Sequence, residues 1–300
     1  MSRLKLTILV NFYNMRREAA RTLHTLSTRY QAGVSSADYE VIAIDNGSTA
    51  PLDEDLVAAQ GPHFFYRRFA SSSPSPCAAI NEAARQSRGT SLMVCIDGAR
   101  MLTPGVVRFA LGALDLHPHP FVYTLGMHLG HRPQNELIDE GYDQAVEDRL
   151  LATIPWQDEG YRLFDIGSLA LSSGHGYFST LSESNCFGLR RADFEALGGL
   201  DVAFQSPGGG LANLDFFNRV HERPDIQPVM LLGEASFHQF HGGVATNVRP
   251  ADHPWTDMVA EYARIRAKPY ARVWRPPEYY GWLSPRYHAR LVSLTAPDKY

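Results

Sequence analysis

An α/β fold, with a mostly parallel central sheet and helices on both faces, is what this 300-residue sequence predicts. Short β-rich apolar runs alternate with helix-period segments through the first half, the pattern of consecutive strand–helix units. Two polar turns, at Asp45 and Asp97, each follow such an apolar run, and open sheets bind ligands at the C-terminal ends of their strands. Hydrophobic residues make up 44% and charged residues 20%, an ordinary balance for a chain long enough to bury a sizeable core.

Taken in order, residues 4–10 read as a buried strand and Asn14 as the cap of a helix with Ala20, Leu23, Leu26 and Tyr30 on one face. Residues 39–44 (YEVIAI) form a second strand, closed by the turn Asp45-Asn46-Gly47-Ser48, and 63–69 a third. After the Ser/Pro-rich loop 71–76, a helix carries Ala79, Ile80, Ala83 and Ala84 on one face. Residues 91–96 (SLMVCI) are a fourth strand running into Asp97-Gly98-Ala99, and Pro104 marks the first turn of another helix. A strand begins at 121–125, an acidic helix is expected over 136–151, and a strand over 181–189 is followed by a helix from Arg191. The glycines of 207–210 precede a helix over 211–221, 227–232 is a strand, and the tail holds one helix at 255–267.

The net charge of -4 implies no basic face, so a nucleic-acid partner is not expected. The apolar run at the N-terminus contains Lys5 and Thr7 and ends in Asn11 and Asn14, which reads as a strand and not an export signal. No run reaches the roughly 18 apolar residues of a membrane-spanning helix. Cys77, Cys95 and Cys186 suit a reducing compartment as buried thiols, so a cytoplasmic protein is expected. Neither GxGxxG between a strand and a helix nor GxxxxGK[ST] is present, which leaves a Rossmann dinucleotide site and a P-loop without support.

Asp45 and Asp97 are each compatible with a plain turn-forming role. Together at one sheet edge they favour a ligand site, where a carboxylate can accept from a base or ribose, or help hold magnesium or manganese on a diphosphate. His238 and His241, beside Gly242-Gly243, read equally as a metal or diphosphate ligand pair and as ordinary strand-end polar residues. Asp215 lies at the start of a helix, where it either complements the helix dipole or serves as a base for an incoming hydroxyl. Glu183 and Asn185 either line an acceptor pocket or are loop polar groups.

With these pieces in this order, the chain resembles glycosyltransferase family 2 and its relatives of the A-type glycosyltransferase fold. The resemblance runs over residues 4–245, through ILVNFYNMRREAARTLHTL, YEVIAIDNGST, AAINEAARQSRGTSLMVCIDGARMLTPG and CFGLRRADFEALGGLD. It implies a nucleotide-sugar half at about 1–125, an acceptor half at about 126–245, and an extension at 246–300 that is a candidate acceptor cover, membrane-surface contact or homo-oligomer contact. It also implies a nucleotide-diphosphate sugar donor, a saccharide or other hydroxyl acceptor, and a role in polysaccharide or glycoconjugate synthesis. By resemblance Asn11, Tyr13, Asp45, Asn81, Asp97 and Gly98 contact the nucleotide sugar, and Glu183, Asn185 and Asn213 face the acceptor. A divalent metal, manganese or magnesium, falls to Asp97 with His241 or His238, and the base to Asp215.

Two departures stand out. Ala99 replaces the second Asp of the family's Asp-x-Asp turn, and Ala212-Asn213 replace its acidic pair, which leaves inversion or retention open. Two other readings remain beside the transferase. A non-catalytic nucleotide-sugar binder would fit those replacements, and a nucleotidyltransferase shares the layout but lacks its Gly-rich, Lys/Arg-bearing loop at 11–14.

Overall fold

The computed structural model describes residues 4–293 apart from 71, 72, 175 and 180. Among the described residues, one ten-stranded sheet runs through the molecule. Its strands are β1 (Leu6–Phe12), β2 (Tyr39–Asn46), β3 (Phe64–Phe69), β4 (Ser91–Cys95), β5 (Arg100–Leu102), β6 (Pro120–Leu129), β7 (Gly167–Leu169), β8 (Cys186–Arg190), β9 (Gln227–His238) and β10 (Glu278–Gly281). The helices are α1 (Arg16–Thr25), α2 (Glu54–Ala58), α3 (Cys77–Gln86), α4 (Val106–Leu114), α5 (Gln134–Leu137), α6 (Gln144–Leu151), α7 (Arg191–Ala196), α8 (Ala212–His221), α9 (Trp255–Arg266) and α10 (His288–Ser293).

The strand order is β10-β9-β6-β8-β4-β1-β2-β3, with β5 paired to β9 and β7 to β6. Neighbours along the main path are parallel except where β8 inserts antiparallel between β4 and β6. β1 is buried along its whole length, as a central parallel strand covered on both faces must be. Its residues alternate between two cores. Ile8 and Val10 join Ala19 and Leu23 of α1 on one face, while Leu9 joins Ile80 and Ala83 of α3 on the other. From β1 the chain steps outward to β2 and β3, then α3 crosses back so that β4 lies on the other side of β1. In open sheets such a reversal marks the C-terminal ends of the two strands, here β1 and β4, as the crevice where ligands bind.

Several local expectations are corrected. Asn14 does not cap α1; its backbone turns left-handed at φ 53°, and its side chain accepts from the N–H groups of Thr49 and Ala50 at 2.9 and 3.2 Å. α1 stops at Thr25, so the buried Tyr30 lies in the following turn. Pro104 precedes the cap of α4, which is Gly105. The expected helix over 136–151 is broken: Gly141, at φ 84°, ends the first part, and Asp143 caps α6 by accepting from Val146 N–H at 2.8 Å.

The segment after residue 245 is built into the sheet. β10 extends it beside β9, pairing Glu278–Gly281 with Val229–Leu232, and Arg275 donates to the carbonyls of His221, Arg223 and Ile226 at the end of α8. No helix of the described residues is long and apolar enough to cross a membrane.

Candidate active site

Asp97 follows β4 by two residues and so stands at the crevice. β5 then pairs antiparallel with the end of β9, setting Arg100 opposite His238, and Gln239 N–H donates to the Ala99 carbonyl at 2.8 Å. This pairing brings the far-off histidines to the aspartate. The Asp97 carboxylate lies 3.0 Å from His238 Nε2 and 3.7 Å from His241 Nε2, and the two imidazole Nε2 atoms are 3.2 Å apart. One ligand atom from each residue falls within a 4.8 Å cluster.

The protons of this cluster can be traced. Gln134 Nε2 faces three acceptors, the carbonyls of His238 and Leu129 and Oε2 of Glu147, at 3.0, 3.3 and 3.3 Å. Its Oε1 therefore faces His238 Nδ1, at 2.7 Å, and must accept a proton from it. His238 is 0% exposed, and burial with Arg100 nearby pushes its pKa down to about 4. As a neutral ring protonated on Nδ1, it turns its Nε2 lone pair toward the Asp97 carboxylate, with Thr246 Oγ1 at 3.1 Å and His241 Nε2 at 3.2 Å from the same atom. Burial pushes the Asp97 carboxyl up, but His241 and His238 outweigh that and hold it well below its ordinary value. Burial lowers His241, and attraction to Asp97 outweighs it, leaving it raised. Facing acceptors of this kind can share a cation. A ring fixed through its other nitrogen is the usual arrangement of a ligating histidine. The residues present thus fit a divalent ion.

Asn247 closes the loop. Its Oδ1 accepts from the N–H groups of His241, Gly242 and Gly243 at 3.0, 3.1 and 3.2 Å, while its Nδ2 donates to Gln134 Oε1 at 3.0 Å. Glu147 of α6 accepts from Phe240 N–H at 2.6 Å and meets Arg17 of α1, tying two helices to the same loop. Nothing in the sequence marked Gln134, Glu147 or Asn247. The first two lie within or beside the segment read as a single acidic helix.

Ala99 is buried in the core beneath the crevice, and its N–H donates to Asp97 Oδ1 at 3.0 Å. A second carboxylate at that position would be buried in apolar packing. Gly98 is buried against β1, where a Cβ would run into Phe12 and the Asn11 carbonyl. Its own carbonyl accepts from Thr22 Oγ1 at 2.6 Å.

Three expected site residues are engaged elsewhere. Asp45 is 0% exposed, and its two oxygens accept from Ser48 and Leu52 N–H at 2.9 and 2.8 Å, which makes it the staple of its own turn. Asn81 donates to the Leu200 carbonyl at 2.7 Å and accepts from Leu200 N–H at 3.0 Å, so both ends of its amide hold the turn after α7. Asp215, expected as the base, has both oxygens taken by arginines. Arg266 donates to Oδ1 and Oδ2 at 2.6 and 2.7 Å, and Arg219 to Oδ2 at 2.8 Å. With both oxygens held by guanidinium groups, Asp215 is tied into an ion-pair network between α8 and α9.

The others remain near the crevice. Tyr13, one residue past β1, is 48% exposed. Asn11 is buried, with Oδ1 left without a partner among the described residues. Glu183, Asn185 and Asn213 come together from two separate segments: Asn213 Nδ2 donates to one Glu183 oxygen at 2.6 Å and Asn185 Nδ2 to the other at 3.4 Å.

Comparison with known proteins agrees with this architecture. Residues 7–145 match the model of glycosyl transferase family 2. Among solved structures, residues 1–349 of S. aureus TarS in complex with UDP align at a TM-score of 0.53 and 12% identity, covering 90% of this chain and 67% of that one. The same TarS fragment in a second structure gives 0.51 and 12%, covering 79% and 60%. S. aureus TarS in a further structure gives 0.50 and 14%, covering 90% and 41%. At these identities the likeness is one of fold, and this chain spans only part of the length of those proteins. No curated protein matches the chain. The family match holds β1, β4 and Asp97, and the aligned fold takes in most of the sheet: the chain has the A-type glycosyltransferase fold and carries, over residues 7–145, a segment similar to glycosyl transferase family 2.

Proposed function

We propose that this chain moves a sugar from a nucleotide-diphosphate donor to a hydroxyl acceptor. The observation that carries the reading is the Asp97–His238–His241 cluster at the rim of β4, beside the crevice where the strand order reverses. Two imidazoles and one carboxylate suit manganese better than magnesium, which prefers oxygen ligands and keeps several waters. When bound there, the ion would offset the negative charge that gathers on the leaving diphosphate.

The chain's own residues bind and orient. Gln134 fixes the His238 ring, and Asn247 fixes the loop that carries His241. Tyr13 offers an exposed aromatic face to a nucleobase, and Asn11 Oδ1 an unused acceptor, at the end of β1. Glu183, Asn185 and Asn213 form the acceptor side. TarS was crystallised with UDP, which makes uridine diphosphate the first nucleotide to try.

Calorimetric titration with UDP, GDP and dTDP, with and without manganese, tests the reading. One of them should bind only with manganese, and Asp97→Ala or His241→Ala should weaken that binding at least about tenfold. Binding indifferent to the metal and to both substitutions would remove the ion from the site. No binding of any nucleotide would sink the transferase reading.

A further inference from the structure

We propose that Glu183 is the base that takes the proton of the incoming hydroxyl, an inference that rests on the transferase reading above. β8 runs antiparallel to β4 with Cys186 opposite Cys95, and the ladder continues one step, Ile96 N–H donating to the Asn185 carbonyl at 3.3 Å. The residues before Cys186 therefore leave the sheet at the same edge as the residues after Cys95. Glu183 and Asp97 stand on adjacent loops of one rim.

The surroundings of Glu183 suit a base. Its hydrogen-bond partners among the described residues are the side-chain amides of Asn213 and Asn185. Neutral donors aim a carboxylate without neutralising it, and its remaining lone pairs stay available. Asn213 is the second residue of α8 and cannot accept a proton, yet a carboxylate oxygen reaches to within 2.6 Å of it from the other segment. A carboxylate from the loop before β8 thus lies beside the start of α8, where the resemblance expects the acidic pair that Ala212-Asn213 replace. Asp215, the other carboxylate of this helix start, is neutralised by Arg219 and Arg266.

In the step this implies, the acceptor oxygen gives its proton to Glu183 and forms a bond to the anomeric carbon. The bond from that carbon to the diphosphate oxygen breaks, and its electron pair leaves with the nucleoside diphosphate. Direct displacement of this kind inverts the anomeric centre.

The test follows nucleoside diphosphate release from a panel of UDP-, GDP- and dTDP-sugars with manganese, water serving as acceptor. Nucleotide affinity is measured alongside by calorimetry. Glu183→Gln should keep the nucleotide Kd within about twofold while slowing release by roughly 10²–10⁴-fold. Adding Asn213→Asp to Glu183→Gln, which returns a carboxylate to the neighbouring position, should recover at least about tenfold of that loss. The released sugar should show the inverted anomer by NMR. Release unchanged in Glu183→Gln, a retained anomer, or a wild-type protein that binds nucleotide but releases none from any donor would each overturn the base. A wild-type protein that binds no nucleotide would overturn the transferase reading, and this inference with it.

Discussion

At the scale of single residues, the same side-chain type plays opposite parts according to its partners. Asp97 faces two imidazoles across a gap that fits a cation, whereas Asp45 spends both oxygens on its own turn and Asp215 spends both on arginines. Removing one partner of a buried ion pair strands the other charges. Asp215→Asn should therefore cost about 3 kcal/mol of stability, within the range for broken buried pairs, as read from a urea unfolding curve. Manganese-dependent nucleotide affinity in that variant should stay within about twofold of wild type. A selective loss of turnover with full stability would return Asp215 to the chemistry.

At the scale of elements, the loop that carries His241 is held from three sides. β9 supplies His238 from a strand end, Asn247 folds the 241–243 turn back on itself, and α5 and α6 supply Gln134 and Glu147. Asn247 makes four hydrogen bonds that no smaller side chain can replace. Asn247→Ala should leave the fold intact and weaken manganese binding by about 10–100-fold, the usual cost of losing a residue that orients a ligand. Manganese titration followed by electron paramagnetic resonance would measure it, and an unchanged affinity would show that the turn holds itself. Glycine at 141 and Asp143 explain why α5 and α6 are two pieces. The break lets Gln134 turn inward to His238 while α6 meets Arg17 of α1.

At the scale of the whole molecule, buried carboxylates set a pH dependence. Glu234, buried in β9, accepts from Thr103 Oγ1, Gly105 N–H and Tyr161 OH, and burial outweighs these bonds to push its carboxyl up to about 7 from 4.5. Between those values the folded chain holds a proton that the unfolded chain has released. This contribution is thus present in full below 4.5 and is lost as pH rises through about 7, a change of about 3 kcal/mol. Glu234→Gln should lose less stability than wild type across that window, by about that amount, in urea midpoints taken at each pH. Parallel curves for the two proteins would show that Glu234 is ionised throughout.

Much of this architecture was legible in the sequence because it is written in local patterns. Strand and helix periods, and polar turns directly after apolar runs, gave β1, β2, β4 and β9, the mostly parallel sheet and the position of Asp97 at its rim. The breaks at Asn14 and Gly141 were local too, but they depended on which of two capping chemistries the backbone adopted. What the chain could not declare locally was convergence. Residues 97, 134, 238 and 247 meet only because β5 pairs with β9 and β6 runs beside both its neighbours. Likewise, whether Asp215 or Glu183 is free to act depends on donors contributed by other segments, Arg266 of α9 and Asn213 of α8 among them. Sequence periodicity determined the scaffold, since backbone hydrogen bonding and burial follow spacing along the chain. Only tertiary pairing decided the chemistry, since the charge on a carboxylate is set by whatever lies within a few ångströms of it.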